Sequence, residues 1–224
     1  MKQSINKILF TLLAVTLVFA CRKEPSFDYA EGTVGSSRIT SFPVFNFSGP
    51  TALALLKGET YTEPGVTAKE GESDLTVTTT GSVNTAQPGV YNLTYSATNK
   101  DGFSATTQRI VIVSPGAEQP GVDISGEYSA IGGAPGNATV TKIGKGVYHT
   151  TNCWGGGSTV VIPAYFFCLD GATVNIPLQD LGTGVGRMIT ETPGTYSAGL
   201  INWTPTRLDF PTGPLTVNKK WQKL

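Results

Sequence analysis

A chain of 224 residues with 16 basic against 16 acidic side chains, and only 14% charged residues in all, has no reserve of positive charge for nucleic acid or an anionic membrane surface. Its 27 glycines and 14 prolines accompany abundant Thr and Val. No 3.6-residue apolar period is sustained beyond residue 20, which excludes a helical bundle and predicts strands and turns.

The first 20 residues read as a secretory signal. Lys2 and Lys7 precede an apolar run from Ile8 to Ala20, and a small residue stands before Cys21. The run is too short to cross a bilayer, which takes about 20 apolar residues. Val18-Phe19-Ala20-Cys21 resembles the lipobox of bacterial lipoproteins, with Phe19 where a smaller residue is usual. That resemblance implies that Cys21 becomes the lipidated N-terminus; the alternative is an ordinary signal peptide cut nearby, leaving Cys21 a spare thiol. Cleavage before Cys21 removes two of the 16 basic residues and none of the 16 acidic ones, leaving a net charge of −2. Residues 21–38 have little periodicity and are expected to be a tether.

Residues 39–113 read as a compact all-β unit. In "GVYNLTYSAT", Tyr91, Leu93, Tyr95 and Ala97 alternate with Asn92, Thr94, Ser96 and Thr98, the signature of a half-buried strand. "NKDG" at 99–102 then turns the chain into "FSATTQRIVIV", giving a hairpin, and "DLTVTTTG" supplies another short strand. Tyr91, at the head of the penultimate strand, is placed to anchor a loop through its hydroxyl, as in the tyrosine corner of immunoglobulin-like sandwiches. "LLKGETYTEPGVTA" at 55–68 and "GSVNTAQPGVYNLTYSATNKDGFSATTQRIVIV" at 81–113 resemble the bacterial surface immunoglobulin-like domain, found also in some insecticidal crystal proteins. The resemblance implies a β-sandwich that acts as a spacer or presentation module. Glu63, Glu70, Glu72 and Asp74 are then expected on a solvated edge, with a calcium site as the sharper alternative.

"SPGAEQPG" at 114–121 reads as a linker. Beyond it, residues 122–224 read as an antiparallel β-meander, barrel or sandwich, through "ATVTKIGKGVYHTTNCW", "STVVIPAYFFCLDG", "ATVNIPL", "GTYSAGLINW" and "LTVNKKWQKL". "ISGEYSA", "TKIGKGVYHT" and "GTYSAGLINW…LTVNKKW" resemble the C-terminal domains of Bacteroidota lipoproteins encoded beside glycan-import systems. This resemblance implies an outer-membrane lipoprotein on the cell-surface or periplasmic face. In that group surface export goes with acidic residues after the lipidated cysteine, whereas Arg22 and Lys23 here precede a single Glu24.

A glycan platform is expected at Trp154, which stands before three glycines, with Tyr148, His149, Asn152 and Tyr165 on flanking strands. The competing reading makes Tyr148 and Tyr165 to Phe167 core residues and Trp154 a cap on the barrel. Trp203 and Trp221 are expected in the core. Cys153 and Cys168 are a candidate disulfide, worth about 3 kcal/mol in the chain-entropy model, or else two buried free thiols. No cofactor or metal is expected, since His149 is the one histidine in the chain. Catalysis is not expected either: no serine stands in a nucleophile-elbow context, and Asp123, Glu127, Asp170, Asp180, Glu191 and Asp209 fall mainly at turns or strand starts. Two functions remain: a lipid-anchored accessory protein that binds oligosaccharide in a polysaccharide-utilisation system, or a structural or assembly subunit docking onto an outer-membrane import complex without binding sugar.

Overall fold

The computed structural model describes residues 33–34, 37–155, 161–182, 184 and 186–224, in two units, Met1–Ser41 and Phe42–Leu224. In the first unit β1 (Thr33–Val34) pairs antiparallel with β2 (Ser37–Arg38). The expected signal segment and Cys21 lie outside the described residues.

The second unit begins with an immunoglobulin-like sandwich. Its strands are β3 (Val44–Phe47), β4 (Ala52–Leu56), β5 (Val66–Glu70), β6 (Ser73–Leu75), β7 (Thr78–Thr80), β8 (Gly89–Thr98) and β9 (Ser104–Ser114). One sheet runs β3-β5-β6 and the other β4-β9-β8-β7, with β4 parallel to β9. The alternation in β8 is realised: Leu93, Tyr95 and Ala97 are buried, and Phe45, Phe47, Leu55 and Val66 are among the residues packed around Leu93, Tyr95 and Val111 between the sheets. The β8–β9 hairpin turns where expected, and the Asn99 side-chain oxygen accepts from the N–H groups of Asp101 and Phe103. "DLTVTTTG" is not one strand: Leu75 pairs with Ala68 in the first sheet and Thr78 with Ser96 in the second, so the chain changes sheets at Thr76-Val77. Tyr91 forms the expected corner, donating its hydroxyl to the Gln87 carbonyl at 2.8 Å. Tyr91→Phe should cost about 1 kcal/mol, the worth of one such bond, read as a lower urea midpoint with an unchanged slope.

A buried arginine ties the two sheets together. Arg109 lies at the head of an apolar run on the inward face of β9 and is fully enclosed. Its guanidinium donates to the carbonyls of Ser48, Pro50 and Gly65, lies 5.1 Å from the Phe47 ring centroid, and pairs with Glu63 at 3.1 Å. Glu63 also accepts from the Tyr61 and Tyr95 hydroxyls and from the Gly65 N–H. Glu63 therefore belongs to the core network, not to the solvated edge expected for it.

The C-terminal part comprises β10 (Gly126–Ile131), β11 (Asn137–Gly144), β12 (Val147–Thr150), β13 (Ala164–Phe167), β14 (Thr173–Val174), β15 (Met188–Thr190), β16 (Gly194–Ser197), β17 (Leu200–Trp203), β18 (Pro205–Arg207), β19 (Leu215–Thr216) and β20 (Lys219–Lys223). Eight of these form one antiparallel sheet in the order β13-β12-β11-β10-β20-β17-β16-β14. Paired backbone bonds between Phe167 and Asn175 bring its two edges together, so the sheet is a nearly closed barrel. β15, β18 and β19 make a separate small sheet. The Gly-Lys-Gly turn forms as expected, with Lys145 at φ 53° and Gly146 at φ 74°, the positive angles of a tight hairpin. Trp203, Trp221, Tyr128, Tyr148 and Phe166 fill the barrel, with Phe166 and Trp203 edge to face at 5.1 Å.

Sandwich and barrel share a third apolar cluster. Ile112 of β9 packs with Val147 and Phe167 of the barrel, and Ala52, Ala54, Val90, Ile110, Ile143 and Tyr165 close around them. This explains why β9 reads as the unbroken run Ile110 to Val113 and not as an alternation: one face points into the sandwich and the other against the barrel. Lys145 pairs with Glu59 across the same boundary, and the Asn92 amide donates to the Asp180 carbonyl. The segment 114–121 is held as well, through the Gln119 N–H on the Leu169 carbonyl and the Glu118–Lys142 pair.

Candidate functional site

The expected platform around Trp154 is largely interior. Trp154 is 8% exposed, Asn152 2% and Tyr148 0%. The Asn152 side-chain oxygen is the local cause: it accepts from the N–H groups of Trp154 and Gly155 at 3.1 and 3.0 Å and turns the chain back over the barrel end. Tyr148 stacks on Phe166 at 5.6 Å and donates to the Val122 carbonyl. His149 and Tyr165 sit opposite each other on β12 and β13, ring centroids 4.9 Å apart. They share the face of β12 and β13 that carries Val147 and Phe167, where Tyr165 packs against the cluster shared with the sandwich, and burial lowers the His149 pKa. The five residues therefore split between the barrel interior and a half-buried face of β12 and β13, and do not converge on one surface.

The candidate Cys153–Cys168 disulfide is also corrected. Both cysteines are free and buried. The rungs Val147↔Phe167 and Thr150↔Ala164 put Cys168 beyond one end of the hairpin and Cys153 beyond the other. The hairpin between them is about 10 Å long, more than a disulfide's Cα reach of about 7 Å. Burial pushes the Cys168 thiol up to about 11 and raises Cys153 further. A Cys21→Ser protein should react with a thiol reagent only after denaturation, and its Tm should not change with dithiothreitol; a drop of several degrees would restore the disulfide.

A cleft lies in the sandwich where the chain changes sheets. Glu70, Asp74, Thr76, Thr78, Ser96 and Lys100 are among the residues lining about 530 Å³. Sheet change and cleft have one cause: β6 and β7 peel apart between Leu75 and Thr78, and the side chains of β5 and β8 show through the gap. Glu70, expected on a solvated edge, has an 8% exposed side chain, because Val66, Ala68 and Glu70 fall on one face of β5. Its Oε2 accepts from the Lys100 N–H at 3.2 Å. Oε1 faces the Lys100 ammonium at 3.6 Å, beyond hydrogen-bond length, and the Lys100 side chain is 68% exposed. Asp74 is exposed and paired with Lys69, so it keeps the surface position expected for it.

Two aromatic rings stand at the same end of the sandwich. Phe103 is held by its N–H on Asn99, a residue lining the cleft, and Phe42 precedes the rung that pairs Val44 with Lys69, next to Glu70. The rings are 58% and 47% exposed for Phe42 and Phe103, and lie edge to face at 5.4 Å. Glu70 was legible in the alternation of "VTAKE"; nothing in the local sequence brings Phe42 to Phe103. Among the described residues no group of three His, Cys, Asp or Glu is placed to hold a metal ion.

Residues 45–113 match the family model of the bacterial surface protein Ig-like domain, and that segment of the chain is such a domain. No curated protein matches the chain. Among solved structures, the lipoprotein BT2262 from Bacteroides thetaiotaomicron is 23% identical with a TM-score of 0.38, over 81% of this chain and 100% of that one. The M60 catalytic domain with the CBM51-1 and CBM51-2 domains from Clostridium perfringens ZmpB is 12% identical with a TM-score of 0.31, over 83% of this chain and 21% of that one.

Proposed function

We propose that this is a lipid-anchored, non-catalytic accessory protein of the bacterial cell surface that binds glycan, and that the binding site is the sandwich cleft at Glu70 and Lys100. The observation that carries the reading is the pairing of a nearly enclosed carboxylate, one oxygen short of a hydrogen bond, with an exposed ammonium 3.6 Å away. An acceptor and a donor at that spacing suit two neighbouring hydroxyls of a sugar ring, one donating to Glu70 and the other accepting from Lys100. Threonine and serine hydroxyls line the rest of the cleft, and the Phe42 and Phe103 rings offer apolar faces to sugar C–H groups.

Glu70→Gln removes a charge-assisted bond worth about 1.5–3 kcal/mol and should weaken binding roughly 10- to 100-fold on whichever oligosaccharide a glycan array selects, with the Tm little changed. An unaltered affinity, or an array on which the intact protein binds nothing, would overturn the reading. The second reading, a docking subunit that binds no sugar, draws on the same rings, because Phe42, Phe103 and the 61% exposed Val44 also form an apolar patch. It predicts co-purification with an outer-membrane transporter that Phe42→Ser and Phe103→Ser abolish.

A further inference from the structure

We infer that the barrel carries a second ligand site, for an uncharged sugar segment, in a groove that runs past Pro193. The inference extends the glycan reading to another part of the chain and stands on different residues. Two hollows of about 330 Å³ each meet at Pro193. Thr195, Asn202 and Asn218 border the first, with Trp203 beneath; Pro115, Phe167 and Leu169 border the second. The rung Thr173↔Thr195 joins them, since Thr173 lines one hollow and Thr195 the other.

The chemistry of the groove is neutral. The ionisable side chain that borders it, Asp170, is already occupied: one oxygen accepts from the N–H groups of Ala172 and Thr173 and the other from the Thr173 hydroxyl. What remains is amides and hydroxyls beside apolar side chains, the combination that a pyranose ring presents in complement. The Asn202 side-chain oxygen is enclosed and has no hydrogen-bond partner among the described residues. Such an orphan acceptor is costly, and a ligand hydroxyl donating to it recovers part of that cost. The floor is held close by Gly194: a Cβ there would come within 2.5 Å of the Asn202 carbonyl oxygen and 2.7 Å of the Trp203 Cβ, so β16 lies against β17 at this point only because the residue has no side chain.

The two sites lie at opposite ends of β9. Lys100 belongs to the turn before it and Pro115 follows it directly, so the 11 residues of the strand separate them by about 36 Å. The apolar cluster between sandwich and barrel fixes that spacing. A polymer long enough to span it gains avidity that a short oligosaccharide does not.

The test is isothermal titration of the mature chain with uncharged hexasaccharides of gluco, manno, xylo and galacto configuration and with oligogalacturonate. Two binding events are expected for the intact protein with one of the neutral sugars, one event for Glu70→Gln, and at least tenfold weaker residual binding when Asn202→Ala or the groove-filling Thr195→Trp is added. Loss of all binding in Glu70→Gln alone would overturn the groove and leave the sandwich site standing. Residual binding indifferent to both groove variants, or equal affinity of Glu70→Gln for oligogalacturonate, would also overturn it. No binding by the intact protein would sink both sites.

Discussion

Arg109→Ala is expected to destabilise the sandwich by about 3–5 kcal/mol, the usual result of removing one partner from a buried ion pair. The variant leaves the carbonyls of Ser48, Pro50 and Gly65 without their donor and Glu63 without its counter-charge, inside a cluster that closes around Tyr95 and Phe47. At roughly 2–4 °C per kcal/mol, Tm should fall by about 6–20 °C. A loss below 1 kcal/mol by urea titration would show that water replaces the guanidinium without penalty.

The same network sets an acid limit. Burial pushes the Glu63 carboxyl up, but the hydrogen bonds from Tyr61, Tyr95 and the Gly65 N–H, and then the Arg109 charge, outweigh burial and hold it below the ordinary carboxylate range. A group whose folded pKa is depressed contributes stability above its unfolded pKa and loses it as pH falls through the folded one. Stability of the intact sandwich should therefore decline on acidification below pH 4–5, and Glu63→Gln should flatten that decline.

Ile112→Asp is the second large effect. Ile112 is fully buried between β9 and the barrel residues Val147 and Phe167. A carboxylate there is unpaired in an apolar cluster and costs several kcal/mol, paid at the boundary and not within either hydrophobic core. Intact protein should melt in one calorimetric transition; the variant should melt in two, the sandwich and barrel parting before either unfolds. Two transitions in the intact protein would mean that the shared cluster does not couple them.

The sequence carries the strands better than the site. Tyr91, Leu93, Tyr95 and Ala97 alternate, and the structure buries that face. The Gly-Lys-Gly turn and the Tyr91 corner are local chemistry, and both are present. Position across layers is another matter. Trp154 before three glycines looks exposed, yet its fate is decided by the Asn152 side chain and by Trp203, whose indole N–H donates to the Cys153 carbonyl. Cys153 and Cys168 look like partners as the two cysteines of one extracytoplasmic domain, but hairpin register carries them apart. Glu70 is expected on the edge by residue type, and its inward phase in "VTAKE" outweighs type; Arg109 follows the same rule in "RIVIV". The groove at Pro193 is invisible in the sequence, because it depends on rungs between strands brought together by the barrel.

The barrel closes through its last strand. β20, the last strand, lies between β10 and β17, pairing with both. Most of the barrel's sequence separates β10 from β20, so the barrel stays open along that seam until Trp221 and its strand dock. Its folding rests on contacts of very long sequence separation, which are slow to form. Until β20 docks, the β10 edge is available to other chains. Loss of Lys219–Lys223 leaves the β10 and β17 edges unpaired and the product prone to aggregate through them.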